Sequence, residues 1–468
     1  MIRIILYWID THGWFITAIL SCVVLANIPT PEGLSENGMD VIAILVMSTI
    51  ILITAQVPLP TVPLLIAVFQ VLLDVNTPKG VSQSFMSDSV FFIMGSLMLA
   101  VAIVHQKLDR RIAYWILHFA KGSITRLSTG FILVCAIMAS FIGGLTVAAI
   151  MLPVAITIVI NIDENQKNIR NITLMLMFSI AYGCAIASIG TPSGGARNAV
   201  MIDYWSRLYD IKISYFEWIK YAYPMVLIQI PVVAFLLRIT FKPEKVNIGN
   251  ALDKLRESVK AEGKMNYADW LTVSIFLFIL FLWVTSSDTL GLGIPAFIGV
   301  SAYLAFGLIS WEEINRGVNW GVVLLYGSAI SLGIAMQNTG AASWIANALL
   351  SGFTSLHLGG GLLLMVIMAV ITMLVANIMS HGPAVAVLGP IFLEVAVLSD
   401  MSVILVGFII AMASSFTYMT IIGSPANTIV YGSNFIKPKD FFKAGWKMSI
   451  ASIIILTLIS ATYWQFLQ

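Results

Sequence analysis

Residues Ala187 to Val200 read "ASIGTPSGGARNAV". Within fourteen residues stand Gly190, Thr191, Pro192, Gly194, Gly195, Arg197 and Asn198, in a chain of 468 residues that is 59% apolar and only 10% charged. The mean hydropathy of +0.94 means that charge cannot cover a water-facing surface, so most of the chain meets lipid. Apolar runs such as "VFFIMGSLMLAVAIV" (90–104) and "ADWLTVSIFLFILFLWV" (268–284) recur along the length. Each approaches the roughly 20 residues that a helix needs to cross a bilayer. A proline and three glycines in such a setting unwind the backbone, because proline lacks a donor and glycine tolerates conformations that a helix forbids. Unwound backbone at that depth is permitted only where protein or a water-filled cavity surrounds it. The cluster therefore reads as the lining of a site rather than as a span.

The distribution of Lys and Arg sets the orientation. With a cytoplasmic N-terminus and no signal-peptide cleavage site after Arg3, spans fall near 12–29, 39–56, 60–75 and 89–106. The basic stretch 107–126 then fits an interfacial amphipathic helix. A same-side hairpin over 130–160 follows, and the span ending near Arg238 leads into a cytoplasmic linker, 239–266. Spans near 268–286, 291–310 and 320–336, a second hairpin over 356–396, and spans near 402–433 and 447–466 leave the C-terminus outside. This path places 20 of the 25 Lys and Arg residues inside, four outside (Lys79, Arg207, Lys212, Lys220) and Arg197 within the membrane, the positive-inside pattern. Localisation in a cell membrane follows. Cys22, Cys135 and Cys184 lie in apolar runs without metal-ligand spacing and read as buried fillers, so no metal site and no cofactor is expected.

The chain repeats itself. "FFIMGSLMLAVAIVHQ" (91–106) returns as "VLLYGSAISLGIAMQN" (323–338), "IGTPSGGARN" (189–198) as "IGSPANTIVYG" (422–432), and "GGLTVAAIMLP" (143–153) as "SHGPAVAVLGP" (380–390). An odd number of crossings separates the members of each pair, so the halves, 1–238 and 267–468 about the linker 239–266, read as inverted-topology repeats. That architecture places a substrate near the midplane where broken helices meet. The broken segments are Gly190, Thr191, Pro192, Gly194 and Gly195 in one half and Gly423, Ser424 and Pro425 in the other. Gly143, Gly144, Thr146, Arg197, Asn198, Ser380, His381, Gly382 and Asn427 are the candidate substrate-binding residues. An arginine in mid-membrane costs a few kcal/mol or more and is kept for a partner or a function. Snorkelling, or pairing with Asp203, is the structural alternative.

These segments resemble the divalent anion/sodium symporter family, the INDY-like dicarboxylate and citrate transporters, over essentially the whole chain. "GSPAN…VYGSN…FFKAGW" (423–446) carries the resemblance most specifically. It implies an all-α polytopic fold of about eleven spans with two re-entrant hairpins, a homodimer, and elevator-type movement of di- or tricarboxylates. The family's hairpin tips read Ser-Asn-Thr and help to build sodium sites. Here the corresponding triplets are Gly143, Gly144, Leu145 and Ser380, His381, Gly382, and four extra residues separate Pro192 from Asn198 when the two prolines are matched. Fewer oxygens and an added Arg197 weaken a sodium site. The resulting expectation is sodium-independent exchange of C4–C5 dicarboxylates, with sodium-coupled symport as the alternative. A pore is disfavoured by the lack of a repeated carbonyl filter, an enzyme by the lack of any H-E-x-x-H, Walker or G-x-S-x-G motif, and nothing points to a nucleic-acid partner.

Overall fold

The computed structural model describes residues 2–106, 123–162, 169–243, 265–355 and 361–467. Most of the expected interfacial helix, the charged turn at 163–168, most of the linker and residues 356–360 lie outside the described residues. The described residues form twenty α-helices: α1 (Ile2–Ala26), α2 (Glu36–Thr54), α3 (Thr61–Leu72), α4 (Pro78–Phe85), α5 (Asp88–His105), α6 (Ile124–Ile142), α7 (Gly144–Ile160), α8 (Arg170–Ala187), α9 (Ala196–Tyr209), α10 (Tyr215–Phe241), α11 (Tyr267–Leu290), α12 (Gly293–Ala305), α13 (Trp311–Gly317), α14 (Trp320–Asn338), α15 (Ala341–Ser355), α16 (Gly361–Met379), α17 (His381–Leu398), α18 (Val403–Ala413), α19 (Pro425–Tyr431) and α20 (Pro438–Ala461). Among them, ten helical stretches are long and apolar enough to cross a membrane, and five more apolar helices are shorter. The chain is an all-α, multi-pass membrane protein. Sequence reading passed over α15, because its Ser, Asn and Thr residues interrupt any long apolar run.

Contacts divide the chain into two compact units, each drawing on both halves of the sequence. The first holds Met1–Val90, Ala199–Ile213 and Asn319–Ser414; the second holds Phe91–Asn198, Ser214–Val318 and Ser415–Gln468. The sequence repeats and the compact units are thus different partitions of the same chain.

In the first unit, two consecutive aromatics on α9 seat it among its neighbours. The Tyr204 hydroxyl lies 3.0 Å from the Ala329 carbonyl and 3.1 Å from that of Ala386, with its ring against Gly333 and Gly389. Trp205 donates to the Val403 carbonyl at 3.0 Å and lies flat enough on Gly407 that a Cβ there would overlap the indole. Below them Glu394, 8% exposed, accepts hydrogen bonds from Ser343 (2.7 Å), Gln337 (3.1 Å) and Tyr209 (3.3 Å). At one end of this unit Ser35 donates to the Thr339 carbonyl and Trp344 to that of Glu32.

The second unit has its own end contacts. His105 meets Glu313 at 2.6 Å, Gln106 donates to the Leu308 carbonyl, and Arg170 meets Asp440 at 2.8 Å. Elsewhere in it, Trp464 donates to the Tyr221 carbonyl and Tyr463 to that of Lys220. Lys220 is four residues before Pro224, whose missing N–H leaves that carbonyl in need of a donor; Tyr463 supplies it.

Each unit also contains a helix broken at one residue. Gly143 separates α6 from α7 at φ 80, ψ 147, and Ser380 separates α16 from α17 at φ 74, ψ 156. Pro153 and Pro390 each lie ten residues beyond the break. The backbone of the two breaks is alike although only one is glycine, and a serine held there is strained.

Close packing at Gly407 yields a direct test. Gly407→Val should lower thermal stability in detergent by about 1–3 kcal/mol through overpacking against Trp205, whereas Gly352→Ala, with nothing within 4 Å, should not lower it. Equal effects on the melting temperature would contradict this packing.

Candidate functional site

The second unit brings together the two broken segments, and they are built alike. Asn198 and Asn427 both stand at the third position of a helix, α9 and α19. The Asn198 amide nitrogen donates to the carbonyls of Ser188 and Thr191, both at 2.8 Å. The Asn427 amide nitrogen donates to the carbonyls of Thr417 (2.7 Å) and Thr420 (2.8 Å). Between these, the Ile189 carbonyl accepts from Trp218 and the Tyr418 carbonyl from Tyr182. Acceptors at positions 188, 189 and 191 thus correspond to 417, 418 and 420. This register pairs Thr191 with Thr420, Gly194 with Gly423, Gly195 with Ser424 and Arg197 with Ala426. The four extra residues seen on matching Pro192 to Pro425 vanish: the proline has shifted within a segment of equal length.

Local chemistry explains why the first segment folds this way. Helix α8 ends at Ala187, Pro192 starts a single 3-10 turn over Pro192–Gly194, and Thr191 caps that turn through Gly194 N–H. The Thr191 hydroxyl also donates to the Ser140 carbonyl beside the α6–α7 break. Gly194 is required by this approach, since a Cβ there would stand 2.8 Å from the Ser140 carbonyl. Ser193 bonds the Tyr215 hydroxyl at 2.9 Å. Every group named here lies inside the protein, so freed carbonyls are satisfied by side chains rather than by lipid-depth water.

Two consequences revise the sequence reading. As candidate substrate-binding residues, Asn198 and Asn427 each carry an amide with both donor and acceptor groups. Both donors are instead spent on backbone carbonyls, which also fixes which end of each amide is nitrogen. What remains is the carbonyl oxygen: Asn198 Oδ1 and Asn427 Oδ1 are buried and meet no hydrogen-bond donor among the described residues. Arg197, 1% exposed, neither snorkels nor takes Asp203, which pairs with Arg207 at 3.1 Å. It turns back instead, and one guanidinium nitrogen donates to the Ser188 hydroxyl at 2.8 Å.

Of the remaining candidates, Gly143, Gly144 and Thr146 form the α6–α7 break and the start of α7 in this unit, where a Cβ on Gly143 would only just reach the Gly194 carbonyl and one on Gly144 would meet Cys184. Gly190 packs on Tyr223 and Ser140. Ser424 and Pro425 cap α19, and Gly423 N–H is bonded by the Thr420 hydroxyl. Ser380, His381 and Gly382 belong to the first unit, where the Tyr326 hydroxyl occupies the space a Gly382 Cβ would need. Cys22, Cys135 and Cys184 are buried free thiols. Ser188, Thr417 and Thr420 were missed, since their contribution is mainly backbone carbonyls, which carry no mark in sequence.

The fold and these broken segments define a membrane transporter rather than an enzyme. Residues 11–468 match the family described as the sodium:sulfate symporter transmembrane region, and the chain belongs to that family. It is 25% identical over 457 residues to the sodium-dependent dicarboxylate transporter SdcS of Staphylococcus saprophyticus, covering 92% of this chain and 86% of that protein. An uncharacterized transporter of Haemophilus influenzae is 26% identical over 382 residues, covering 78% and 79%. In structure the chain is similar to the YdaH transporter of Alcanivorax borkumensis, with a TM-score of 0.53 at 10% identity over 82% of this chain and 87% of that one.

If each amide is held by two carbonyls, Asn198→Asp and Asn427→Asp should each destabilise the detergent-purified protein by about 1–3 kcal/mol, the cost of leaving buried acceptors unsatisfied. Wild-type melting temperatures in both variants would show that the amides are not so engaged.

Proposed function

We propose that this protein is a secondary active carrier that couples dicarboxylate movement to sodium, with C4–C5 carboxylates as substrates. The observation that carries this reading is the pair of buried asparagine oxygens left over after both amide donors are spent. A lone carbonyl oxygen repels a carboxylate and suits a hard cation, which takes oxygen ligands. Beside one of the two, Arg197 supplies fixed positive charge for the anion. The sodium-dependent dicarboxylate relatives support the same reading, which the residues alone ranked second.

Exchange without sodium is the second reading. It is favoured by Arg197, a permanent charge in the first segment, and by the loss of side-chain oxygens at Gly143 to Leu145. A carrier that moves a buried positive charge without its anion is slow to reorient, and that promotes exchange. The two readings part in proteoliposomes. Empty vesicles given an inward sodium gradient should accumulate labelled succinate, malate or 2-oxoglutarate, and replacing sodium by choline should reduce uptake at least tenfold. Equal uptake in choline, seen only in vesicles preloaded with dicarboxylate, would overturn sodium coupling in favour of exchange. Arg197→Ala should raise the dicarboxylate KM at least tenfold under either reading.

Two inverted repeats are supported by the identical hydrogen-bond register of the two asparagine segments and by the like backbone of the two breaks, which we take as re-entrant hairpin tips. Ser380, His381 and Gly382 enter as substrate residues through that match alone. An elevator mechanism and a homodimer, which the resemblance to the family implies, are part of the same proposal. An inside N-terminus and outside C-terminus rest on the distribution of Lys and Arg; the end contacts agree with that path, since Arg170 with Asp440 and His105 with Glu313 join segments assigned to one side, while Lys220 with Tyr463 and Ser35 with Thr339 join segments assigned to the other. Single cysteines at Lys439 and Glu312 should then react with an impermeant maleimide only after the cells are opened, and those at Glu32 and Gln465 in intact cells. The opposite pattern would reverse the orientation.

A further inference from the structure

Ser188 bonds both Arg197 and Asn198. Its hydroxyl accepts from Arg197 at 2.8 Å, and its carbonyl accepts from the Asn198 amide at 2.8 Å. The hydroxyl in turn donates to the Ala185 carbonyl at 2.8 Å in the last turn of α8, which orients its lone pairs toward the guanidinium. Ser188 is 6% exposed, so these bonds lie inside the protein. The second segment provides an internal comparison. Thr417 occupies the matching position and its carbonyl accepts from Asn427, but its hydroxyl faces the Ser415 carbonyl at 3.4 Å and Ala426 stands where Arg197 would be. The carbonyl half of the arrangement is therefore common to both segments, and the hydroxyl half exists where there is an arginine to hold.

Resting on the reading of Arg197 as the anion's charge partner, we infer that Ser188 is a positioning residue for that guanidinium. An arginine at the second position of α9 has four rotatable side-chain bonds, and a substrate carboxylate meets its planar fork productively only when the plane is fixed. The Ser188 hydroxyl fixes it from the side of α8. Because the same residue anchors Asn198 through its backbone, the guanidinium and the open Asn198 oxygen are held in one register, so that anion and cation affinities rise together.

Dicarboxylate uptake by proteoliposomes of wild type, Ser188→Ala, Ser188→Thr, Arg197→Ala and the Ser188→Ala/Arg197→Ala double variant tests this. Ser188→Ala should raise KM about tenfold with Vmax within about twofold, Ser188→Thr should recover most of the affinity, and the double variant should be no worse than Arg197→Ala alone. The dependence of sodium half-saturation on dicarboxylate concentration should weaken in Ser188→Ala. Losses that add in the double variant, a fall in Vmax without a change in KM, or failure of Ser188→Thr to recover affinity would overturn the inference while leaving Arg197 in place. A KM unchanged by Arg197→Ala would instead sink the functional reading and this inference with it.

Discussion

A backbone carbonyl that leaves a helix at membrane depth must find a donor, and in this protein an asparagine amide meets that need twice. Each amide spans two carbonyls, ten and seven residues upstream, and so closes an irregular segment onto the helix that follows it. Left unsatisfied, each such carbonyl costs on the order of 1–3 kcal/mol. Aromatic residues from α10 and α8, Trp218 and Tyr182, complete the same accounting at the intervening carbonyls. The open asparagine oxygens are a by-product of this closure, because an amide that spends its nitrogen inward presents its oxygen elsewhere.

Arg197 follows from the same construction. A guanidinium with 1% exposure needs its donors directed, and the turn at Pro192–Gly194 brings the end of α8 back within reach of α9 so that Ser188 can accept one of them. Gly194 and Gly195 matter here for space: a side chain at the first would strike the Ser140 carbonyl, and one at the second would strike the guanidinium itself. Arg197 thereby brings a positive charge into the first segment, next in sequence to the uncharged Asn198 oxygen. In the second segment, where Ala426 replaces the arginine, only the oxygen remains. One unit thus holds two segments of similar build that differ by one charge.

Buried polar groups serve a second purpose away from this site. Glu394 gathers Tyr209, Gln337 and Ser343 from three other helices of the first unit, and Tyr204 and Trp205 reach across to backbone carbonyls of α14, α17 and α18. Lipid supplies no hydrophobic drive between apolar helices, so close packing and interhelical hydrogen bonds specify which helices pair. Glycines at 333, 389 and 407 allow the rings to approach that closely.

The sequence by itself determined that the chain spans a membrane many times, that it breaks its helices at 187–200 and 422–432, and that the breaks come as a pair with Arg197 in only one. Composition, proline and glycine carry that information directly, because they act on the local backbone. Sequence also singled out Asn198 and Asn427, but not what their amides do, since which amide atom is spent depends on carbonyls seven to ten residues away and on the shape of the turn between. The same turn decided the register: matching prolines suggested an insertion, whereas the accepting carbonyls match without one. The division into two units that each draw on both halves of the chain, the seating of α9 by Tyr204 and Trp205, and the role of Ser188 were decided only by tertiary structure, because each depends on contacts between segments that no local pattern joins.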